Sequence, residues 1–333
     1  MPAIDTSIVL ATCSRAPLLR GALQSLLAEA IGWSAPVEFV IVDDGSTDET
    51  PELLATFQQS AGVPVTILAG PRRGVAAARN LASEHAAGRW LASFDDDQLA
   101  EHGWLAALRT LAEETGAACV SGALALQLPP DRSLAELGPR VRGILGEHLD
   151  GDVPKFGGID PASNNVLIRR DVFLAMHGYD TSFTEGAEDA DLFDRIGNAG
   201  YSIWFQPEAR ALHITPATRL SRSNLRWTSL RLGASDARRF ARRGTLHLLG
   251  LACLRLGTTL LRDLPLLTFA VLTRNLRLKT DVQCSLWYTT GLLRALPAFM
   301  VGKPGDSAFL RSLDFRARNG ERKETALRST NEQ

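Results

Sequence analysis

The sequence predicts an α/β protein: a mainly parallel sheet covered by helices, followed by a basic, helical carboxyl-terminal region. Three observations carry that reading. From Ser7 to about Gly122, apolar runs of strand length alternate with stretches of helical spacing, which implies right-handed crossovers between parallel strands buried on both faces. The run Trp90-Leu91-Ala92-Ser93-Phe94 ends abruptly in Asp95-Asp96-Asp97, as a buried strand does when it delivers polar groups to its carboxyl end, where open α/β sheets bind ligands. Residues 219–333 hold 21 of the 36 Lys and Arg but 8 of the 37 Asp and Glu, a net of +13 against −14 for residues 1–218. Such asymmetry points to two regions with different partners.

In chain order, Ser7 to Thr12 reads as a first strand and Leu18 to Ala30 as its helix. Val37 to Val42 is a second strand closed by Asp43-Asp44-Gly45-Ser46-Thr47-Asp48, where Ser46 or Thr47 can cap the next helix. Val63 to Leu68 is a third strand, and Gly70-Pro71-Arg72-Arg73-Gly74 leads into a helix over Val75 to His85. The acidic strand and a helix near Trp104 to Glu114 follow. From Leu128 to about Gly158, scattered Gly and Pro without a sustained period predict a loop-rich insertion. A strand resumes within Pro161 to Ile168, and a short helix over Val172 to Met176 stops at Gly178. Glu188 to Ile196 opens a helix with acids in its first turn, where the macrodipole favours them. Tyr201 to Phe205 and Ala209 to Ile214 read as two separate strands.

Beyond Pro216 the chain turns to leucine and arginine. Leu225 to Arg243 is a basic helix, and Thr245 to Leu261 is apolar apart from Arg255, which shares a face with Arg262 seven residues on and leaves the opposite face to leucines. Pro265 is expected to break this helix. The longest uncharged stretches, Gly244 to Leu254, Leu264 to Thr273 and Val282 to Leu293, fall short of the ~18 to 20 residues of a spanning helix. The pattern therefore predicts helices lying on an anionic membrane surface, with Trp227, Trp287 and Tyr288 as interfacial anchors. Residues from about Asn319 are expected to fray.

Composition excludes several classes. The four cysteines, Cys13, Cys119, Cys253 and Cys284, are too far apart for a zinc motif or a disulfide framework, which suits a reduced, cytoplasmic setting. The amino terminus runs straight into a strand without the layout of a secretory signal. Basic residues in the tail are interleaved with leucine rather than with stacking aromatics, which argues against nucleic acid.

The chemistry concentrates at strand ends. Three adjacent carboxylates repel one another and resist desolvation, so a cation belongs beside them, and oxygen ligands favour Mg2+ or Mn2+ over zinc. The ordered set Val42-Asp43-Asp44-Gly45-Ser46, Gly74-Val75-Ala76-Ala77-Ala78-Arg79-Asn80, Phe94-Asp95-Asp96-Asp97 and Glu188-Asp189-Ala190-Asp191-Leu192 resembles the motifs of the family 2 glycosyltransferases. Asn164-Asn165-Val166-Leu167, Phe173 and Gly178-Tyr179-Asp180 are similar to the same family. The resemblance covers roughly residues 5 to 215. It implies a GT-A fold, a nucleotide-diphosphate sugar donor, a divalent metal and inversion at the anomeric carbon.

Carried over residue by residue, the resemblance implies that Asp43 or Asp44 lies beside the nucleoside, with Thr12 and Arg15 close to the same nucleotide. Arg79 offers a charge-assisted donor to a carboxylate or phosphate. Asp97 would be the direct metal ligand, with Asp95 or Asp96 holding ribose, sugar or metal-bound water, and Asp95 is a second candidate ligand. Asp189 would be the general base and Glu188 its orienting neighbour. On the residues alone, Glu188, Asp189 and Asp191 equally suit a plain helix start. His213 occupies a position where some relatives carry a histidine near the metal. Arg226-Trp227 is similar to the Arg-Trp of processive members, but Ser223 stands where their glutamine would be, which favours transfer of a single sugar.

The expected division is a catalytic domain over 1–218, with a nucleotide half near 5–120 and an acceptor half near 160–215, then basic amphipathic helices over 219–318 and a flexible 319–333. The expected acceptor is a hydroxyl of a glycan or lipid-linked intermediate in envelope polysaccharide synthesis, with the enzyme on the inner face of the cell membrane. Two other classes compete. A sugar-nucleotide-forming nucleotidyltransferase would need a glycine-rich phosphate loop after the first strand, where the chain has Ala11-Thr12-Cys13-Ser14-Arg15. A non-catalytic relative would be expected to have lost the carboxylates, and all are present.

Overall fold

Predominantly apolar strands alternate with helices to build the first half of a sheet: β1 (Thr6–Thr12), α1 (Ala16–Gly32), β2 (Val37–Asp43), α2 (Thr50–Ser60), β3 (Val65–Ala69), α3 (Val75–His85) and β4 (Trp90–Phe94). The order β3-β2-β1-β4 is parallel at every pairing. After it come β5 (Gln98–Ala100), α4 (Trp104–Thr115), β6 (Cys119–Gln127), α5 (Pro139–Ile144), β7 (Lys155–Phe156), β8 (Asn165–Arg169), α6 (Arg170–Ala175), α7 (Glu188–Asn198) and β9 (Ile203–Ile214). Here the sheet becomes mixed: β8 is antiparallel to β4 and β6, β9 is parallel to β6, and β5 and β7 run antiparallel to β9.

This computed structural model describes residues 3–158, 161–183, 186–302, 304 and 307–314; the tail expected from Asn319 onward lies outside them. Two compact units result, one of residues 1–127, 146–181 and 188–214, the other of 128–145, 182–187 and 215–333. In the first unit each sheet face carries a buried layer, one around Phe39, Phe94 and Trp104, the other around Val40, Phe173 and Phe193.

Several local expectations change. Neither Ser46 nor Thr47 caps α2, which starts later; Asp48 Oδ1 accepts the Thr50 N–H instead (3.1 Å), and Ser46 Oγ accepts the Ser14 N–H (2.7 Å). The two strands expected over 201–214 are one strand whose register jumps from Gln206↔Gly122 to Arg210↔Ala123. The jump lets β9 pass Pro207 without losing its pairing beyond it. The insertion contains α5, whose Val141 N–H donates to Asp281 Oδ1 (2.9 Å).

The second unit also holds α8 (Arg222–Arg243), α9 (Thr245–Thr258), a π-turn (Thr259–Asp263), α10 (Leu264–Leu272), α11 (Leu276–Met300) and α12 (Ala308–Arg311). Pro265 does not break the rod: it sits in the first turn of α10, where its missing N–H costs little, and the wider π-turn stands just before it. The same turn rephases the helix, so Arg255 points inward while the Arg262 side chain is 56% exposed, and the two do not share a face. The expected aromatic anchors are taken up by packing. Trp227 and Tyr288 pack, partly buried, against the core of this unit, with the Tyr288 hydroxyl on Asp236, and Trp287 lies under Arg222. α8 and α11 approach so closely that a Cβ on Gly233 would meet the Tyr288 carbonyl, and one on Gly291 the Leu230 carbonyl.

The start of α4 tests one such contact. No side chain within that helix caps it, and the buried Glu29 of α1 accepts from the Gly103 and Leu105 N–H groups (3.0 and 3.1 Å). Glu29→Ala leaves the buried Leu105 N–H and the half-buried Gly103 N–H without their acceptor and is expected to lower unfolding stability by about 2 kcal/mol in urea titration; an unchanged midpoint would show that water satisfies them.

Candidate active site

Parallel pairing brings three carboxyl ends side by side. Thr12 of β1 is in register with Asp43 of β2, and β4 lies on the other side of β1. The chain leaves each strand into a polar turn, so Arg15, Asp44 and Asp95 to Asp97 gather above one edge of the sheet. Asp96 is buried; its Oδ2 accepts from Thr12 Oγ1 (2.7 Å) and its Oδ1 from Arg15 Nη1 (2.8 Å). The same Arg15 nitrogen donates to Asp97 Oδ2 (2.9 Å). Burial pushes the Asp96 carboxyl up to about 6, against the pull of Arg15. The Arg15 guanidinium is raised despite its burial, because Asp96 and Asp97 hold its proton.

Asp95 takes a different partner. Its Oδ1 accepts from Arg79 Nη2, and Arg79 is 5% exposed. Arg79 projects inward because its α3 neighbours Ala76, Ala78 and Ala82 are small and pack against the sheet. Its Nη1 donates to Ser163 Oγ (2.6 Å) and lies 3.9 Å from Glu188 Oε1, while the Ser163 N–H reaches Asp189 Oδ2 (3.5 Å). The strand-end Asp95 and the acids opening α7 are thus joined through one buried arginine. Burial opposes charge on Arg79, but Asp95 outweighs it and the guanidinium is raised.

Asn80, the next residue, clamps the turn before α7. Its amide accepts the Tyr179 N–H (2.9 Å) and donates to the Tyr179 carbonyl (2.8 Å). Gly178 has φ 63°, and a Cβ there would lie 2.6 Å from Asn80 Oδ1, which leaves room for glycine alone. Arg195 of α7 donates to Asp191 and to the Met176 and Gly178 carbonyls, fixing the helix to the same turn.

Asp43 and Asp44 behave differently from each other. Asp44 accepts the backbone N–H groups of Arg72 (2.5 Å) and Gly74 (3.2 Å) and so shapes the turn before α3. Asp43 Oδ1 accepts the Ser46 N–H (2.8 Å), and Asp43 lines a cavity of about 420 Å³ with Ser46, Leu54, Gln58, Ile67 and Arg72.

His213 reaches the acids through strand pairing. β5 and β9 put it opposite Gln98, so its Nε2 lies 3.6 Å from Asp97 Oδ2. That phase depends on the jump in β9, and the jump is held by Asn165. Its Nδ2 donates to the Ala123 and Ala209 carbonyls (2.8 and 3.0 Å), and its Oδ1 accepts from Trp104 Nε1 (2.7 Å). A Cβ on Gly122 would strike the Ala209 carbonyl. Sequence reasoning missed Ser163, the short β5 and the positioning work of Asn165; the signal for the last was an amide opening an otherwise apolar strand.

Among the described residues no group of three or more His, Cys, Asp or Glu side chains is arranged to hold a metal unaided. Asp97 and His213 nonetheless bring a carboxylate oxygen and an imidazole nitrogen together without a thiolate, a donor pair that fits a divalent ion completing its shell with substrate oxygens and water.

A family model described as glycosyl transferase family 2 matches residues 7–174, spanning β1 to α6 with both acidic strand ends. The chain belongs to this family. A second model, glycosyltransferase like family 2, matches residues 143–218. The succinoglycan biosynthesis protein ExoM of Rhizobium meliloti is 28% identical over 72% of this chain and 77% of its own length. A glucosyl-dolichyl phosphate glucuronosyltransferase of Haloferax volcanii is 29% identical over 48% of this chain and 50% of its own. In fold, the chain is similar to a mannosyltransferase of Pyrobaculum calidifontis solved with GDP-Man and Mn2+ (TM-score 0.59, 18% identity, 87% and 86% coverage). GalNAc-T7 with UDP, GalNAc and Mn2+ is similar at TM-score 0.51, with 16% identity over 73% of this chain and 51% of that one. The protein is a glycosyltransferase with the GT-A fold and with relatives in polysaccharide biosynthesis, and the nucleotidyltransferase alternative falls.

Asn165→Leu keeps the branched shape and removes all three hydrogen bonds. It is expected to cost about 3 kcal/mol in equilibrium unfolding, whereas a change within experimental error would mean that the β9 register is held elsewhere.

Proposed function

We propose that this glycosyltransferase moves one sugar from a nucleoside-diphosphate donor to a hydroxyl of a lipid-linked glycan, with inversion and with Mn2+ or Mg2+. The observation that carries the reading is the buried link Asp95–Arg79–Ser163, which runs from the acidic strand end to the start of α7. It couples a donor side to an acceptor side in one rigid array.

In this reading Asp43 faces the nucleoside across the cavity, and Asp44 keeps the adjoining turn in shape. Asp97 and His213 would hold the ion, with Asp95 as a further candidate ligand; when bound, the ion supplies neutralisation of the charge that builds on the departing diphosphate. Thr12 and Arg15 hold Asp96 where it can meet ribose or sugar hydroxyls. Asp189 accepts the proton of the attacking hydroxyl, and its carboxylate is oriented by the Ala190 N–H (2.8 Å) and by Ser163. Glu188, near Arg79, stands beside it as an orienting or acceptor contact. A single carboxylate base serves a single displacement, so the sugar's configuration inverts.

Relatives named for succinoglycan biosynthesis and for glucuronosyl transfer to glucosyl-dolichyl phosphate support an acceptor of envelope-polysaccharide type on a lipid carrier. The enzyme would then work as a peripheral protein on the inner face of the cell membrane; no helix among the described residues is long and apolar enough to cross it.

The test is product stereochemistry together with one variant. Proton NMR of the first product from an α-linked sugar nucleotide is expected to give the β-anomer, with kcat falling ~10²- to 10⁴-fold in Asp189→Asn. Retained configuration, or a variant at wild-type rate, would overturn the mechanism.

A further inference from the structure

Between Thr245 and Leu272 the second unit faces both ways with apolar residues: Leu248, Ala252 and Ala270 are buried, yet a broad apolar surface is left outside while polar groups are taken in. Polar side chains point into the helical cluster: Arg255 donates to Ser285 Oγ (2.9 Å) and Thr289 Oγ1 (3.1 Å), and Asp263, 1% exposed, accepts from Ser285 Oγ (2.6 Å). Apolar side chains point out: Leu246 is 83% exposed, Leu254 67%, Leu260 61%, Leu261 85%, Phe269 55% and Leu272 78%. A helix on a water-soluble domain confines its apolar residues to the inward stripe and turns polar ones to water. An exposed apolar surface on this scale marks an interaction site.

The surroundings favour lipid over protein. Polar groups facing the interior of a helix cluster and leucines facing outward is how helices are built where the surroundings are hydrocarbon. The glycine contact between α8 and α11 matches the close, small-residue packing used there. The free charge beside the apolar face is of one sign: between Gly244 and Thr280 the only acid is the buried Asp263, which Arg262 covers through an ion pair (2.8 Å), while Arg274 and Arg277 are exposed. Anionic headgroups complement that rim, whereas a second copy joined through the same face would set arginine against arginine.

We infer that α9, the π-turn and α10 form an in-plane docking surface for an anionic bilayer, with the leucines entering the boundary between headgroups and acyl chains and the arginines meeting lipid phosphates. The inference rests on the proposed lipid-linked acceptor and names the surface that would bring the enzyme to it. The π-turn contributes by keeping Asp263 inside, where Arg262 covers it (2.8 Å), which leaves the exposed Arg274 and Arg277 for the headgroups.

Flotation of the full chain tests this, using vesicles of phosphatidylcholine with and without phosphatidylglycerol. Wild type is expected to float with the anionic vesicles and to be released by high salt, and the pair Leu261→Ser with Leu272→Ser is expected to weaken binding on the order of tenfold or more. Arg274→Gln with Arg277→Gln is expected to weaken it by a similar factor on anionic vesicles alone. Circular dichroism of each variant shows that it is folded. Failure of folded wild type to float overturns the inference, as does a dimer in sedimentation that the serine pair dissolves while no protein floats. Activity on a soluble acceptor separates the two readings: a protein that transfers sugar but does not float fails only here, and one that floats but transfers nothing fails only as the proposed enzyme.

Discussion

The structure depends on accommodating three consecutive carboxylates at the end of β4, Asp96 and Asp97 buried and Asp95 partly so. Placed side by side they would repel one another, and the chain supplies partners: Arg79 to Asp95, Thr12 to Asp96, and Arg15 shared between Asp96 and Asp97, with the His213 ring 3.6 Å from Asp97. Those partners come from α3, from the end of β1 and from β9. Neutralising the acids therefore fixes how three separate parts of the sheet meet. Removing either guanidinium would leave an uncompensated buried charge, which costs more than the pair itself contributes.

Geometry at the far side of the sheet follows from a second constraint. β9 must pass Pro207 and still deliver His213 opposite Gln98. A strand has a period of two, so a register error of one residue would turn that histidine to the other face. Asn165 prevents this by bridging the carbonyls of Ala123 on β6 and Ala209 on β9 at the jump, with Trp104 holding its oxygen. The acidic strand end and the asparagine are thus parts of one arrangement: one supplies charge, the other sets the phase in which an imidazole nitrogen approaches it.

Much of this could be read from the chain alone. The strand–helix alternation to Trp104 and the acids after Phe94 are strong local patterns, and the parallel half of the sheet follows from them. The mixed half could not be read so easily, because β5 is three residues long and β9 contains a proline that divides its apolar pattern in two. Residues at the site fall into the same division. Arg79, Asp95 and Glu188 stand in motifs, but Ser163 contacts Arg79 across 84 positions of sequence, and no local signal announces such a pairing. In the helical unit, leucine and arginine content was visible, whereas the direction each faces was set by the π-turn. A five-residue turn of that kind has no compositional mark.

The central claim is that the acids after β4 hold a nucleoside diphosphate through a divalent ion. Thermal unfolding of the wild type and of Asp97→Asn, with UDP, dTDP, GDP or ADP and with Mn2+ or EDTA, measures it directly. A ligand that binds only the folded state adds about 2.7 kcal/mol at a hundredfold excess over Kd. The account predicts that one nucleotide stabilises the wild type, that EDTA removes the effect, and that Asp97→Asn loses most of it. Equal stabilisation with and without metal, or in the variant, would contradict it.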